Sequence, residues 1–125
     1  MVILVIDPGV TTGIAMSLNG KIITTCAYSD SEVMQFIHKL KWDLIIYESF
    51  ASGGRISKYG QQTIRLIGKI DLLCMQLNIK TCKHEPQNRY CGQPKARQFL
   101  KGVKHLKHEY EALSHLYAHE LLKHT

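Results

Sequence analysis

The sequence predicts an α/β fold: a five-stranded mixed sheet, three antiparallel strands and then two parallel ones, with helices on both faces. Residues 2–6 and 42–47 are almost entirely aliphatic or aromatic, which is typical of strands covered on both sides. Asn19-Gly20 is a strong hairpin signal between two strand-like segments. Segments with helical spacing separate the later strands, and such crossovers favour parallel pairing.

Size and composition predict one domain spanning residues 1–125. The chain has 125 residues, of which 45% are hydrophobic, enough for one core and too few for two. We find no stretch near the ~20 apolar residues of a membrane span and no basic leader, so we expect neither anchor nor signal peptide. The four cysteines form no C-x-x-C pair, which favours reduced thiols. We therefore expect an intracellular, cytoplasmic protein, in the host cytoplasm if it is viral.

The net charge favours an acidic partner. The formal charge is +6 and the isoelectric point is about 9.2. Such a balance suits a polyanion, although many basic proteins bind none.

The first part of the chain predicts a meander followed by a helix. The first strand, residues 2–6, ends at Asp7, and Pro8-Gly9 then turns the chain. A second strand opens at residues 12–13, and a third covers residues 21–28. Residues 29–31 form an N-cap cluster for a short helix to about residue 40.

Two acidic residues end neighbouring strands. The strand at residues 42–47 is reached through the helix, so it should lie parallel to the first strand, and Asp7 and Glu48 should share one edge of the sheet. A carboxylate at the tip of a buried strand is costly unless a cation lies beside it. The alternative is two unrelated acids on a solvated rim.

The middle of the chain predicts a loop, a long helix and a basic segment. A Gly/Ser-rich loop covers residues 49–60, and a helix follows over about residues 61–76 and stops at Asn78. Gly68 inside it indicates a close approach to another helix or to the sheet. A third parallel strand covers residues 79–83. Residues 87–107 are polar and basic, with one short helix near residues 94–100.

The last helix, residues 107–123, carries a polar face. His108, Glu111, His115 and His119 share one arc, and an apolar arc lies beside it. A histidine three residues before an acid can reach a common ion. The alternative is an exposed stripe of local ion pairs.

Together these motifs resemble the RuvC-type Holliday junction resolvases of the RNase H-like fold, in a compact, phage-like version. The resemblance spans nearly the whole chain. Its most specific parts are Asp7-Pro8-Gly9 with Gly13, Glu48 with Phe50, and His108-x-x-Glu111-Ala112.

The resemblance implies a homodimeric, Mg²⁺-dependent endonuclease that cuts branched DNA such as four-way junctions. It makes Asp7, Glu48 and Glu111 metal ligands and catalytic residues, with His108 assisting. We expect Mn²⁺ to substitute for Mg²⁺. The chain departs from the family by bearing Glu where the final helix usually bears Asp, and the extra methylene moves the carboxylate of Glu111.

The same resemblance assigns DNA contacts to basic and aromatic side chains. Cations hold phosphates, and an aromatic ring can stack on an unpaired junction base. The predicted DNA-binding residues are Phe50, Arg55, Lys58, Tyr59, Arg89, Lys95, Lys101, Lys104 and Lys107.

Other function classes use some of the same features. Another RNase H-like nuclease acting on flaps, forks or RNA would need the same acids and differ only in its loops. A non-catalytic junction-binding protein would need no convergent acids. The likeness of residues 7–13 to the phosphate loop of actin-like ATPases is weak, because the chain is too short for two lobes.

Overall fold

A five-stranded sheet forms the frame of the structure. The computed structural model describes residues 1–49 and 58–123, without the side chains of Tyr59 and of residues 121–123. The strands in this part are β1 (Val2–Asp7), β2 (Thr12–Leu18), β3 (Lys21–Ala27), β4 (Leu44–Glu48) and β5 (Thr81–His84). Their order is β3-β2-β1-β4-β5, with β1 to β3 antiparallel and β4 and β5 parallel to β1. The predicted mixed sheet is confirmed.

Helices cover both faces of this sheet, as the sequence predicted. They are α1 (Asp30–Lys39), α2 (Lys58–Gln76), α3 (Gln93–Phe99) and α4 (Lys107–Lys123), with a 3₁₀ segment (Pro86–Gly92) before α3. Residues from α1 and α2, such as Ile37 and Ile70, pack with Ile6 on one face. Residues from α4, such as Leu113, pack with Val5 on the other face. No described helix is long and apolar enough to cross a bilayer.

Local signals explain most element boundaries. Asn19 and Gly20 both have positive φ, at 50° and 83°, as a tight β-hairpin turn requires. The hydroxyl of Ser29 accepts a 3.3 Å hydrogen bond from the backbone N–H of Glu32 and caps α1. Asn78, at φ 55°, follows α2 as the predicted stop.

Several boundary and packing predictions differ from the structure. Helix α2 begins at Lys58 rather than near residue 61, and β5 covers Thr81–His84 rather than residues 79–83. Trp42 precedes β4, and its indole Nε1–H donates to the carbonyl of Ile37 at 3.0 Å. A Cβ added at Gly68 would meet no described atom within 4 Å, so the predicted close approach is wrong within the described chain.

The register brings the two strand-end acids to one edge. In the parallel pair of β1 and β4, Ile6 lies beside Tyr47, and Asp7 and Glu48 are the next residues of the two strands. Glu48 also lies beside His84 of β5. This carboxyl-end edge is where open α/β sheets place their sites.

Candidate active site

Two elements bring the first acidic cluster together. Asp7 is the last residue of β1 and is 3% exposed. Helix α4 packs across β1 and β2, so that His108 and Glu111 in its first turns face the end of β1. The sequence motif at the first strand and the motif on the final helix therefore meet in space.

Gly13 makes this meeting possible. A Cβ built at Gly13 would lie 1.9 Å from the backbone oxygen of His108, a distance that no side chain tolerates. Glycine therefore lets the first turn of α4 come against the start of β2. The second glycine of the Asp-Pro-Gly-x-x-x-Gly motif thus has a packing role that places His108.

The cluster is held by short contacts around the imidazole of His108. Its Nδ1 lies 2.8 Å from Oδ2 of Asp7 and 3.6 Å from Oε2 of Glu111. Lys107 Nζ lies 3.8 Å from the other oxygen of Glu111, with a side chain that is 81% exposed. One oxygen or nitrogen atom from each of Asp7, His108 and Glu111 lies within 4.8 Å of the others.

This crowding shifts the titration of all three groups. Burial raises the pKa of Asp7 to about 7, against the hydrogen bond with His108, which opposes the rise. Contacts with Asp7 and then Glu111 raise the pKa of His108 to about 10. The hydrogen bond with His108 lowers the pKa of Glu111 to about 2. The carboxyl groups of Asp7 and Glu111 therefore stabilise a positive charge placed between them.

Glu48 lies beside this cluster but has different partners. Its Oε2 accepts a hydrogen bond from Nε2 of His115 at 2.7 Å. Arg89 Nη1 lies 3.4 Å from the same oxygen. Glu48 contributes to the raised pKa of Asp7 through its charge, so the two acids are electrostatic neighbours although they do not share a contact among the described residues.

His84 contacts the His115 ring at the nitrogen that does not face Glu48. The Nδ1 atoms of His84 and His115 are 3.0 Å apart, and the ring centroids of His84 and His119 are 6.1 Å apart. Burial, followed by the charges of His115 and His119, lowers the pKa of His84 to about 4. His84 is therefore neutral at physiological pH.

The predicted polar face of α4 is not an exposed stripe. His115 is fully buried, and so are its neighbours Leu113 and Leu116. The structure brings His108 and Glu111 together, and it places His115 against Glu48 instead. The alternative of an exposed stripe is wrong for His115, which is buried.

Sequence reasoning missed the contact between His84 and His115 and the contact between His115 and Glu48. His84 is the last residue of β5, so its place at a strand end was its only signal. His115 lies one turn after Glu111, and this spacing could have placed it next to the same edge.

The predicted DNA-binding residues differ in their surroundings. Arg89 has a side chain only 21% exposed, and its Nη1 lies 3.4 Å from Oε2 of Glu48. Phe50 and Arg55 lie outside the described residues, as does the side chain of Tyr59. The remaining predicted cations are exposed, namely Lys58, Lys95, Lys101, Lys104 and Lys107.

The donor atoms of the first cluster suit a divalent cation. Two carboxylates supply the hard oxygen ligands that Mg²⁺ prefers, and an imidazole nitrogen is compatible with Mn²⁺ and other transition metals. Asp7 and Glu111 lie at the tip of a strand and on a packed helix, so their positions are largely fixed before any ion binds. The arrangement could therefore hold a metal ion at the sheet edge.

No protein-family model matches the sequence, and no curated protein matches it. Solved structures do match. RuvC of T. thermophilus in complex with a Holliday junction substrate has a TM-score of 0.78 at 13% identity, over 99% of this chain and 95% of that one. A further structure of Thermus thermophilus RuvC has a TM-score of 0.69 at 12% identity, over 99% and 96%.

A viral structure matches over a similar extent. The resolvase of Fowlpox virus, in complex with its substrate Holliday junction DNA, has a TM-score of 0.59 at 15% identity. The match covers 98% of this chain and 99% of that chain. The chain therefore has the RNase H-like fold of the RuvC-type resolvases, as the resemblance in its sequence predicted.

Proposed function

We propose that this protein is a divalent-metal-dependent endonuclease that resolves four-way DNA junctions by hydrolysing phosphodiester bonds. The observation that carries the proposal is the convergence of Asp7, His108 and Glu111 within 4.8 Å, at the carboxyl edge of a sheet with this fold. Similarity to structures of resolvases bound to Holliday junction DNA supports the choice of substrate.

Asp7, Glu111 and Glu48 would hold Mg²⁺, with Mn²⁺ as a substitute. When bound, the metal would activate a water and relieve charge on the leaving oxygen. Asp7 and Glu111 offer oxygens from one cluster, and Glu48 approaches from the neighbouring strand. Glu111 has the reach of an extra methylene compared with Asp, and its helix brings it to 3.6 Å from His108.

His108 would assist by moving or orienting a proton. Its Nδ1 is engaged with Asp7 at 2.8 Å, which leaves Nε2 as the atom that can address water or the leaving group. The side chain is 34% exposed, so solvent and substrate can reach it.

The DNA would be held by cations around the site. Lys95 of α3, Lys101 and Lys104 of the following loop, and Lys107 at the start of α4 are exposed on the side of the sheet that carries α4. Arg55 and Lys58 precede or open α2, and Phe50 or Tyr59 would stack on an unpaired base. Phosphate neutralisation by these residues is independent of sequence.

A second copy of the chain would complete the functional unit. A four-way junction presents two symmetric strands, so a two-fold dimer with two sites suits it. Helix α2 supports this assembly, because Ile64, Leu72 and Met75 are 40%, 56% and 77% exposed on it and Gly68 lies open among them. Exposed aliphatic side chains grouped on one helix are typical of an interface.

The test is cleavage of one synthetic four-way junction beside flap, fork and duplex DNA and an RNA duplex, with and without Mg²⁺. We expect metal-dependent cuts in two opposite strands of the junction. Preferential cutting of flaps, forks or RNA would assign the same acids to another RNase H-like nuclease. Junction binding without cutting under any metal would make the protein a binding module and overturn the proposal.

A further inference from the structure

A chain of buried imidazoles holds Glu48 from inside the protein. His115 donates from Nε2 to Oε2 of Glu48 at 2.7 Å, and its Nδ1 lies 3.0 Å from Nδ1 of His84. His115 is 0% exposed and His84 6%. Side chains from β4, α4 and β5 therefore form one continuous polar path below the edge of the sheet.

Packing alone does not account for a histidine at position 115. Its helix neighbours Leu113 and Leu116 are buried and apolar, and an aliphatic residue would fill the same space without desolvating a ring. Among the described residues, no buried side-chain nitrogen or oxygen lacks a partner. A buried series of hydrogen bonds in which every group is paired fixes one arrangement of the side chains, because leaving any of these groups unpaired costs free energy.

The direction of each hydrogen bond follows from the carboxylate. An ionised carboxylate only accepts, so His115 must carry a proton on Nε2. Nδ1 of His115 is then the atom that faces His84, and one proton lies between the two Nδ1 atoms. Both rings are thereby held in one orientation.

The contacts also select between the two oxygens of Glu48. His115 and Arg89 both approach Oε2, at 2.7 Å and 3.4 Å, and no contact to Oε1 is seen within residues 1–49 and 58–120. Glu48 has three rotatable side-chain bonds, and its side chain is 18% exposed. Without a fixed donor it would have several rotamers to lose when it bound an ion.

We propose that His115, backed by His84, is a positioning residue that fixes the Glu48 carboxylate so that Oε1 faces a divalent cation shared with Asp7. The proposal rests on the proposed function, since it assumes a metal at this edge. Histidine and carboxylate partners behind a metal ligand commonly orient it in this way.

Two amide variants separate positioning from packing. In His115→Gln the amide nitrogen can occupy the place of Nε2 and still donate to Glu48. In His115→Asn the shorter amide reaches only the place of Nδ1, next to His84. Mn²⁺ affinity, measured by titration calorimetry, should fall by about 10–100-fold in the Asn variant and stay within about threefold of wild type in the Gln variant. Equal affinities in the two variants, with both folded, would overturn the proposal.

A measurement on the wild-type protein without metal keeps the proposal testable if neither variant folds. Long-range ¹H–¹⁵N correlation spectra of the histidine rings should show a protonated Nε2 in His115. A bare Nε2 in His115 would overturn the proposal. Asp7→Asn distinguishes a failure of the proposed function from a failure of the positioning role. If Asp7→Asn binds Mn²⁺ as tightly as wild type, the proposed function is contradicted. If Asp7→Asn loses Mn²⁺ binding and His115→Asn keeps it, only the positioning role is contradicted.

Discussion

Helices α2 and α4 lie on opposite faces of the sheet and use their side chains in different ways. Helix α2 packs Leu66, Ile70 and Cys74 on the sheet, and it also turns Leu72 and Met75 towards solvent. Its inward side is mostly apolar, although Asp71 accepts a hydrogen bond from the hydroxyl of Tyr47. Its outward side carries these aliphatic side chains among polar ones.

Helix α4 combines an apolar inward side with buried polar groups. Leu113 and Leu116 pack on the sheet, while Glu111 and His115 reach the ends of β1 and β4. Exposed apolar side chains on a helix are typical of a protein–protein interface, and buried polar groups on a helix are typical of a functional site. The difference supports the proposed roles of α2 in dimer formation and of α4 in the active site.

The largest expected effect concerns Glu111 on the α4 side. Glu111→Gln should lower junction cleavage by about a hundredfold or more, because losing a few kcal/mol of charge stabilisation costs at least two factors of ten. Glu111→Asp should retain part of the activity, since a carboxylate remains. The measurement is single-turnover cleavage of one junction, with Glu120→Gln on the same helix as the matched control. Full activity in Glu111→Gln would contradict the role of Glu111 as a metal ligand.

An intermediate effect is expected on the α2 side. Leu72→Asp should weaken dimerisation by at least about tenfold, because burying a leucine side chain contributes about 1.5–3 kcal/mol. Sedimentation velocity over a concentration series would measure it. Val103→Asp is the control, since Val103 is 55% exposed but lies in the loop after α3. A wild-type protein that stays monomeric with and without junction DNA would remove α2 from any interface.

The smallest effect concerns the exposed cations. Replacing Arg55, Lys58, Lys101 or Lys104 by Gln should each lower the slope of log K against log salt by about one unit, because one phosphate contact is lost. Lys41→Gln is the control, since Lys41 precedes β4 at the opposite edge of the sheet. Junction binding at several salt concentrations provides the slopes. Unchanged slopes in all four variants would place the DNA path elsewhere.

The sequence was informative where short-range chemistry decides the structure. The buried run before Asp7, the Asn19-Gly20 turn and the Ser29 cap all act over a few residues, and each prediction is confirmed. The crossover through α1 made β4 parallel to β1 and so brought Glu48 to the correct edge.

Long-range packing limited the remaining predictions. His115 lies 67 positions from Glu48 and 31 from His84, so no local pattern links the three. The periodicity of α4 gave the correct face, but burial depends on what covers that face. Gly68 was misread for the same reason, because only the fold reveals that the outward side of α2 is open within the described chain.

The central claim is that the acids at the sheet edge exist to bind metal rather than to stabilise the fold, and Asp7→Asn tests it most directly. Asn keeps the shape of Asp and its turn chemistry while removing the charge. Because burial raises the pKa of Asp7 to about 7, its ionisation opposes folding increasingly as the pH rises from about 4 through 7. At pH 8 without metal, removing this cost is opposed by loss of the contact that raises the pKa of His108, so the variant should stay folded and melt near the wild-type temperature.

The deciding measurement combines this melting curve with gel-shift and cleavage assays on one junction, with and without Mg²⁺. The account predicts a folded Asp7→Asn protein that binds the junction at least as tightly as wild type, because acid–phosphate repulsion is reduced, and whose cleavage is lower by orders of magnitude. Cleavage within about tenfold of wild type, or unfolding that explains the lost activity, would contradict it.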